Sequence, residues 1–223
     1  MLNKTILLSI FLSALAVLAF SAVMADNIIP YLRFKYAYGF LGTKIDAVLL
    51  KPHFQVAFYV HITSSWIVML AGLGQFFPVF VRRWPRIHRW TGMVYIWLIL
   101  VLAAPSGLVL GFYANSGLSS KVGFVLQSIV WWVVTGLAVR EILQKNYLRH
   151  AEMMLRSYAI TLAAMSLRTE SYLMYYYLET KPIETYLTVT WLSWVGNLLL
   201  IECLIYADLG KRLVAMAFQA TKQ

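Results

Sequence analysis

Cysteine is almost absent from this sequence, and acidic residues are few. The single cysteine, Cys203, excludes an intramolecular disulfide, a CxxC redox pair and a cysteine-based zinc site. The sequence also lacks a Walker loop and the GxSxG, HExxH and GxGxxG motifs. It therefore carries none of the nucleotide-binding or hydrolase signatures that those motifs provide. No linker, repeat or low-complexity tract divides the chain, so we expect a single domain over residues 1–223.

Charged residues are scarce, at 13% of the 223 residues, whereas 61% are hydrophobic and the mean hydropathy is +0.71. A chain of this length and composition cannot bury its apolar surface in a water-soluble core, which predicts an all-α polytopic bundle of transmembrane helices in a lipid bilayer. The net charge of +10 comes from short basic clusters between apolar runs. This pattern reports membrane orientation, and we expect no nucleic-acid partner.

Six apolar runs have the length of about 20 residues that a helix needs to cross a hydrocarbon core of roughly 30 Å. They cover residues 5–25, 54–81, 91–113, 122–143, 157–178 and 187–208. The last five runs form the predicted core bundle, residues 54–208.

The first run, residues 5–25, fits two interpretations. A lysine before the apolar run and the small residues that end it resemble a signal peptide, whose cleavage would leave five spans. The alternative is an uncleaved membrane anchor, which gives six spans. We expect the anchor.

The loops at the two ends of the predicted bundle differ in charge. Residues 82–90 carry four arginines, and residues 140–156 carry four basic residues, whereas the loops 114–121 and 179–186 hold one lysine each. Because basic loops remain in the cytoplasm, the pattern predicts that both termini are cytoplasmic.

Three polar residues are predicted to share an outer level of the bundle: His61, Arg168 and Glu170. A guanidinium inside a bilayer costs several kcal/mol, so Arg168 should face a partner, a water-filled cavity or a ligand. Glu170 lies two residues along the same helix and about 200° around it, so the two side chains should not simply pair. We expect His61, Arg168 and Glu170, together with Gln75, to be candidate ligand-binding residues.

A second polar level is predicted near the cytoplasmic surface, with His88, His150 and Glu202 among arginines. Histidines from two helices at one depth are the axial ligands that a b-type haem needs, and neighbouring arginines would pair with its propionates. His88 and His150 are therefore candidate metal ligands for a haem, with Arg89 and Arg156 as further candidate cofactor-binding residues. The alternative is that these histidines are interfacial residues bonded to backbone or lipid phosphate.

Several function classes remain open on these residues. A quinone would use a histidine or arginine donor beside an aromatic wall, so b-type haem and quinone are the two candidate cofactors. A non-catalytic accessory or assembly subunit of a membrane complex would use the same residues for packing. The small-residue pair Gly107 and Gly111 would allow the close helix contacts that such a role needs. A proton-coupled transporter ranks below these classes, because no inverted repeat supports it. Whether the protein is an enzyme stays open.

Four separated segments carry a family resemblance: FYVHITSSWIVMLAGLGQF, RWPRIHRWTGMVY, APSGLVLGFYANSG and RHAEMMLRSYAITLAAMSLR. In this order they resemble the bacterial predicted membrane protein family known as domain of unknown function 2306. The matching positions are His61, Gly72, Gln75, Phe76, Pro85, His88, Arg89, Gly92, Tyr95, Pro105, Ser106, Gly107, Ala114, Asn115, Gly117, His150, Met153, Arg156, Ser157 and Arg168.

This resemblance implies a multi-pass protein of the bacterial inner membrane, and it implies that the histidines and arginines named above are family motif positions. A weaker resemblance exists to the ascorbate-linked di-haem b-type cytochromes, which have histidines near both faces of a four-helix bundle. That pattern needs two histidines at the outer level, where this chain offers only His61.

Overall fold

The structure is a computed structural model, and it describes residues 4–33 and 39–218. In those two ranges the regular secondary structure is helical and no strand occurs. Five helices there are long and apolar enough to cross a membrane: Phe11–Leu32, Pro52–Phe76, Pro85–Phe112, Leu118–Leu143 and Pro182–Tyr206. An all-helical chain with several candidate spans is therefore confirmed, whereas the sixth span and the cytoplasmic termini stay predictions.

The helices within these spans and between them are labelled in chain order. They are α1 (Lys4–Leu32), α2 (Asp46–Leu49), α3 (Pro52–Leu73), α4 (Pro78–Arg83), α5 (Pro85–Trp97), α6 (Ala104–Phe112), α7 (Leu118–Leu143), α8 (Tyr147–Thr161), α9 (Ala163–Tyr177), α10 (Pro182–Trp191), α11 (Asn197–Tyr206) and α12 (Leu209–Phe218). Four of them begin with proline, whose fixed φ suits a first turn and whose missing N–H is not needed there.

A π-helical segment joins α5 to α6, and a second joins α10 to α11. The first covers Leu98–Ala103 and ends two residues before Pro105. Proline has no N–H, so it cannot complete the regular hydrogen-bond pattern of the preceding turn, and a wider turn is one way for the chain to continue as a helix. The two helices therefore run on as one span, Pro85–Phe112.

The second predicted run, residues 54–81, ends earlier than expected. Phe77 has an extended backbone, with φ −85° and ψ 115°, immediately before Pro78. The proline ring clashes with a helical conformation of the residue before it, so the chain bends there and α4 starts separately. Beyond the last predicted run, α12 is a helix that the sequence did not predict.

The fifth predicted run, residues 157–178, falls on two helices of 15 residues each, α8 and α9, which are joined at Leu162. The helical path begins ten residues earlier than predicted because the side chain of Asn146 caps α8 by accepting the Arg149 N–H at 3.3 Å. Neither half has the length of a span, which is why this segment is not among the five candidate spans.

The core lies where α3, α5, α7 and α8 meet. Its fully or nearly fully buried side chains include Val68, Tyr95, Ile99 and Ile160. Glycine allows the closest approach here, since a Cβ on Gly72 would stand 2.5 Å from the Tyr158 ring. Small residues at helix crossings are the usual means by which membrane helices pack closely.

A cluster of buried hydroxyl groups ties three of these helices together. The Tyr95 hydroxyl on α5 lies 2.8 Å from Ser157 Oγ and 2.9 Å from Thr161 Oγ1, both on α8. Ser157 Oγ is also 2.8 Å from Thr135 Oγ1 on α7. Because no water competes in the core, these bonds hold the three helices in one register.

Candidate functional site

A cavity of about 670 Å³ lies among α4, α5, α8 and α12. Its wall is mostly apolar, and both His88 on α5 and His150 on α8 line it. Apolar residues from separate elements complete the wall: Phe76, Met93, Ile96, Met154, Leu213 and Phe218. The two histidines that the sequence paired by depth thus share one cavity, which we call the histidine cavity.

The orientation of His150 is set by its neighbour on α7. Its Nδ1 lies 2.8 Å from the carbonyl oxygen of Ala138. A carbonyl can only accept, so Nδ1 carries the proton of the neutral ring and Nε2 is left as a hydrogen-bond acceptor or ligand.

The orientation of His88 is set by the amide of Gln75. We assign this amide with its nitrogen toward His88, because only that orientation satisfies both of its ends. The nitrogen then lies 3.2 Å from His88 Nδ1, and the oxygen accepts from the Gly92 N–H at 3.2 Å and from Thr91 Oγ1 at 2.6 Å. An amide nitrogen can only donate, so His88 Nδ1 accepts and the proton of the neutral ring is on Nε2. Gln75 therefore lies with His88 and His150 at the histidine cavity rather than with His61, Arg168 and Glu170.

The two rings are complementary as a result. His88 presents an Nε2–H donor, and His150 presents an unprotonated Nε2 acceptor. In the part of the chain that the structure describes, neither Nε2 has a protein hydrogen-bond partner. An apolar cavity with one hydrogen-bond donor and one acceptor suits a small apolar ligand that carries carbonyl or hydroxyl groups.

The two arginines predicted to accompany the histidines have different surroundings. Arg89 lines the histidine cavity, and its Nε donates to the Pro85 carbonyl of its own helix at 3.3 Å. Arg156 does not line it. Arg156 instead forms a two-bond ion pair with Glu202 on α11, with Nε to Oε1 at 2.5 Å and Nη2 to Oε2 at 2.8 Å. This pair links α8 to α11 and already occupies the guanidinium.

His61 lies at a helix crossing away from the histidine cavity. Its Nδ1 bonds to the Ala103 carbonyl oxygen at 2.9 Å, at the end of the first π-helical segment. A Cβ on Gly107 would stand 2.9 Å from His61 Cε1, so glycine there makes room for the imidazole. His61 therefore acts in packing α3 against the span that contains Pro105.

Arg168 and Glu170 lie on different sides of α9, as their spacing predicted. Arg168 is exposed on the bundle surface, and its Nη1 donates to the Ala164 carbonyl of its own helix at 3.0 Å. Among the described residues no carboxylate lies within 4.0 Å of it. Glu170 lines a second cavity, between α1, α8, α9 and α11. The four predicted ligand-binding residues thus do not form one site.

A partly buried lysine lies between two of the loops that connect the helices. Lys44 Nζ donates to the Tyr113 carbonyl at 2.5 Å and to Asn115 Oδ1 at 2.6 Å, which ties the loop before α2 to the loop after α6. Burial, with a smaller contribution from the charge of Lys121, lowers the pKa of Lys44 to about 8.

The residue pattern of the chain matches one family model. The model is described as "Predicted membrane protein (DUF2306)" and matches residues 58–205, more than half of the chain. The chain belongs to this family. No curated protein and no solved structure matches the chain. The family match confirms the resemblance and makes this a membrane protein of an uncharacterised family. Its description names no activity or ligand.

The family range contains Gln75, His88 and His150, but the wall formed by α12 lies beyond it. Sequence reasoning missed that wall. The available signal in the sequence was the amphipathic pattern of residues 209–218. In the structure Gly210 lets α12 approach α8 closely, since a Cβ there would stand 2.9 Å from Glu152 Cγ. No group of three or more His, Cys, Asp or Glu side chains that could hold a metal ion occurs in residues 4–33 and 39–218.

Proposed function

We propose that this protein binds a small lipid-soluble molecule of the quinone class in the histidine cavity. The observation that carries the proposal is the pairing of an Nε2–H donor on His88 with an Nε2 acceptor on His150 inside one apolar cavity. A quinone carbonyl accepts from the donor, and a quinol hydroxyl donates to the acceptor. The pair therefore suits both redox forms of such a ligand.

The size of the cavity supports the same ligand class. Ligand pockets in proteins usually measure about 300–1,000 Å³ and have apolar walls with a few placed polar groups. The histidine cavity, at about 670 Å³, lies within that range. Arg89 on its wall adds a positive charge that favours an electron-rich oxygen.

Haem fits the hydrogen-bond pattern less well than a quinone does. Axial ligation by both histidines needs an unprotonated Nε2 on each ring. The amide of Gln75 donates to Nδ1 of His88 and so leaves the proton on its Nε2. Arg156, expected beside a haem propionate, is paired with Glu202 instead.

We further infer a six-span arrangement in the bacterial inner membrane, with α8 and α9 together forming the additional span and both termini in the cytoplasm. The basic residues near the histidine cavity support this orientation. The ligand then lies near the cytoplasmic surface of the bilayer, a position that a lipid-soluble molecule can enter from the membrane.

Titration calorimetry with a short-chain benzoquinone, on the detergent-purified protein, tests the proposal. We expect saturable binding of the quinone and about tenfold weaker binding for His150→Leu and for Gln75→Leu, since one hydrogen bond in an apolar site is worth about 1.5 kcal/mol. The matched control is His53→Gln, which changes an exposed histidine bonded to the Tyr113 hydroxyl at 2.6 Å, remote from the cavity.

Three results would contradict the proposal. One is the absence of saturable quinone binding to the wild-type protein. Another is equal loss of binding in His53→Gln and His150→Leu. The third is a Soret band in the purified protein that disappears in His88→Leu and His150→Leu, which would make the cavity a haem site.

A further inference from the structure

A second cavity, of about 460 Å³, lies between α1, α8, α9 and α11, and it shares only Phe76 with the wall of the histidine cavity. Residues from all four helices line it, and most of its surface is apolar. Ala16 and Val17 of α1 form one wall, and Leu200 and Ile201 of α11 form another. We call it the glutamate cavity, because Glu170 of α9 is its acidic residue.

The carboxylate of Glu170 has no partner that explains its position. Its Oε2 is buried and forms no hydrogen bond, and no lysine, arginine or histidine nitrogen of the described residues lies within 4.0 Å of it. Glu170 as a whole is half-buried, and an unpaired carboxylate oxygen in an apolar environment is costly in its charged form. A positive charge or a hydrogen-bond donor beside this oxygen would offset that cost.

Among the described residues, none of the other polar side chains that line the glutamate cavity hydrogen-bonds to Glu170 Oε2. Asn197 uses its amide nitrogen to donate to the Ala159 carbonyl at 3.0 Å, and its oxygen accepts from Ser166 Oγ at 2.9 Å. Arg168 lies about 200° around α9 from Glu170 and donates to its own helix. Asn197 and Arg168 are thus already bonded elsewhere.

We propose that the glutamate cavity binds a lipophilic organic cation, with Glu170 as its counter-ion. The apolar walls accept the hydrocarbon part of such a molecule, and the ring of Tyr158, which also lines the cavity, adds an aromatic surface of the kind that favours cations. An inorganic cation is a poorer match, because it needs several oxygen ligands and Glu170 is the one carboxylate among the described lining residues.

Equilibrium dialysis with radiolabelled tetraphenylphosphonium tests this proposal on the full chain in lipid nanodiscs, with empty nanodiscs as the measure of partition into lipid. We expect saturable binding by the wild-type protein and at least a tenfold weaker affinity for Glu170→Gln. The matched control is Glu179→Gln, which removes the same charge from an exposed position near the end of the same helix.

A variant that fills the cavity tests the proposal independently, because it keeps the carboxylate of Glu170. Ala16 is exposed and lines the cavity, so Ala16→Trp fills it without removing charge. We expect this variant to lose binding as Glu170→Gln does, while the melting temperature and the benzoquinone affinity of both variants stay at the wild-type values. Absence of saturable binding to the wild-type protein, or unchanged affinity in Glu170→Gln or Ala16→Trp, would overturn the proposal.

Discussion

At the scale of single residues, similar side chains have different roles according to what lies opposite them. His61 and His150 both donate through Nδ1 to a backbone carbonyl, yet only His150 lines a ligand-sized cavity. The sequence placed His88 beside His150 by depth alone. It could not predict that Gln75, thirteen residues before His88 in the chain, sets the tautomer of that ring, because this depends on the bend at Phe77.

Lys44 leads to a prediction about pH. Its folded-state pKa of about 8 is below the ordinary value of 10.5. Below pH 8 the amine is charged in both states, and its partial burial then lowers the free energy of unfolding by the full amount. Between about pH 8 and 10.5 the folded protein loses this proton while the unfolded chain keeps it. The free energy of unfolding should therefore rise with pH over this interval.

The measurement is the melting temperature of the detergent-purified protein at pH values from 7 to 10.5, compared between the wild type and Lys44→Gln. The wild type should gain more stability with rising pH than the variant does. Lys181→Gln, at an exposed position, controls for the loss of a positive charge. Identical pH profiles for the wild type and Lys44→Gln would contradict the assignment.

At the scale of helices, proline and capping residues decide where elements begin, and buried polar contacts decide how they pack. Pro78 separates α4 from α3, and Asn146 starts α8. The Arg156–Glu202 pair joins α8 to α11. Proline positions are visible in the sequence, so the break at Pro78 could have been predicted. The pairing of Arg156 could not, because several acids lie nearer to it along the chain than Glu202 does, and the packing of the helices selects among them.

Tyr95→Phe tests the hydroxyl cluster that joins α5, α7 and α8. Removing the Tyr95 hydroxyl deletes its bonds to Ser157 and Thr161, whereas the bond from Ser157 to Thr135 remains. We expect a loss of about 1 kcal/mol in the free energy of unfolding, since hydrogen bonds between membrane helices are worth about 0.6–1.7 kcal/mol.

Reversible unfolding by a denaturing detergent in bicelles measures this loss. Tyr172→Phe is the matched control, because it removes a hydroxyl from an exposed ring. If both variants were as stable as the wild type, the cluster would not contribute to holding the three helices.

At the scale of the whole molecule, the number of spans depends on α8 and α9. Gln144 and Lys181 flank these two helices, and both are exposed. If the segment crosses the bilayer, the two positions lie on opposite sides of the membrane. We expect a membrane-impermeant maleimide to label Lys181→Cys in spheroplasts with an intact inner membrane, and to label Gln144→Cys only after that membrane is permeabilised.

Both variants are made in a Cys203→Ser background, which removes the single native thiol. Labelling of both positions in intact spheroplasts, or of neither, would contradict the six-span arrangement. Labelling of Gln144→Cys alone would instead reverse the predicted orientation of the termini.

The sequence alone determined the helical class, five of the six predicted membrane spans and the family, because hydrocarbon thickness and backbone hydrogen bonding leave an apolar chain few alternatives. It also placed His88 and His150 at one level. Only the tertiary structure decided that these two share a cavity, that Arg156 is paired and that Glu170 has no ion-pair partner among the described residues. Those outcomes depend on which faces of distant helices meet, and the hydropathy of each helix does not specify its rotation about its own axis.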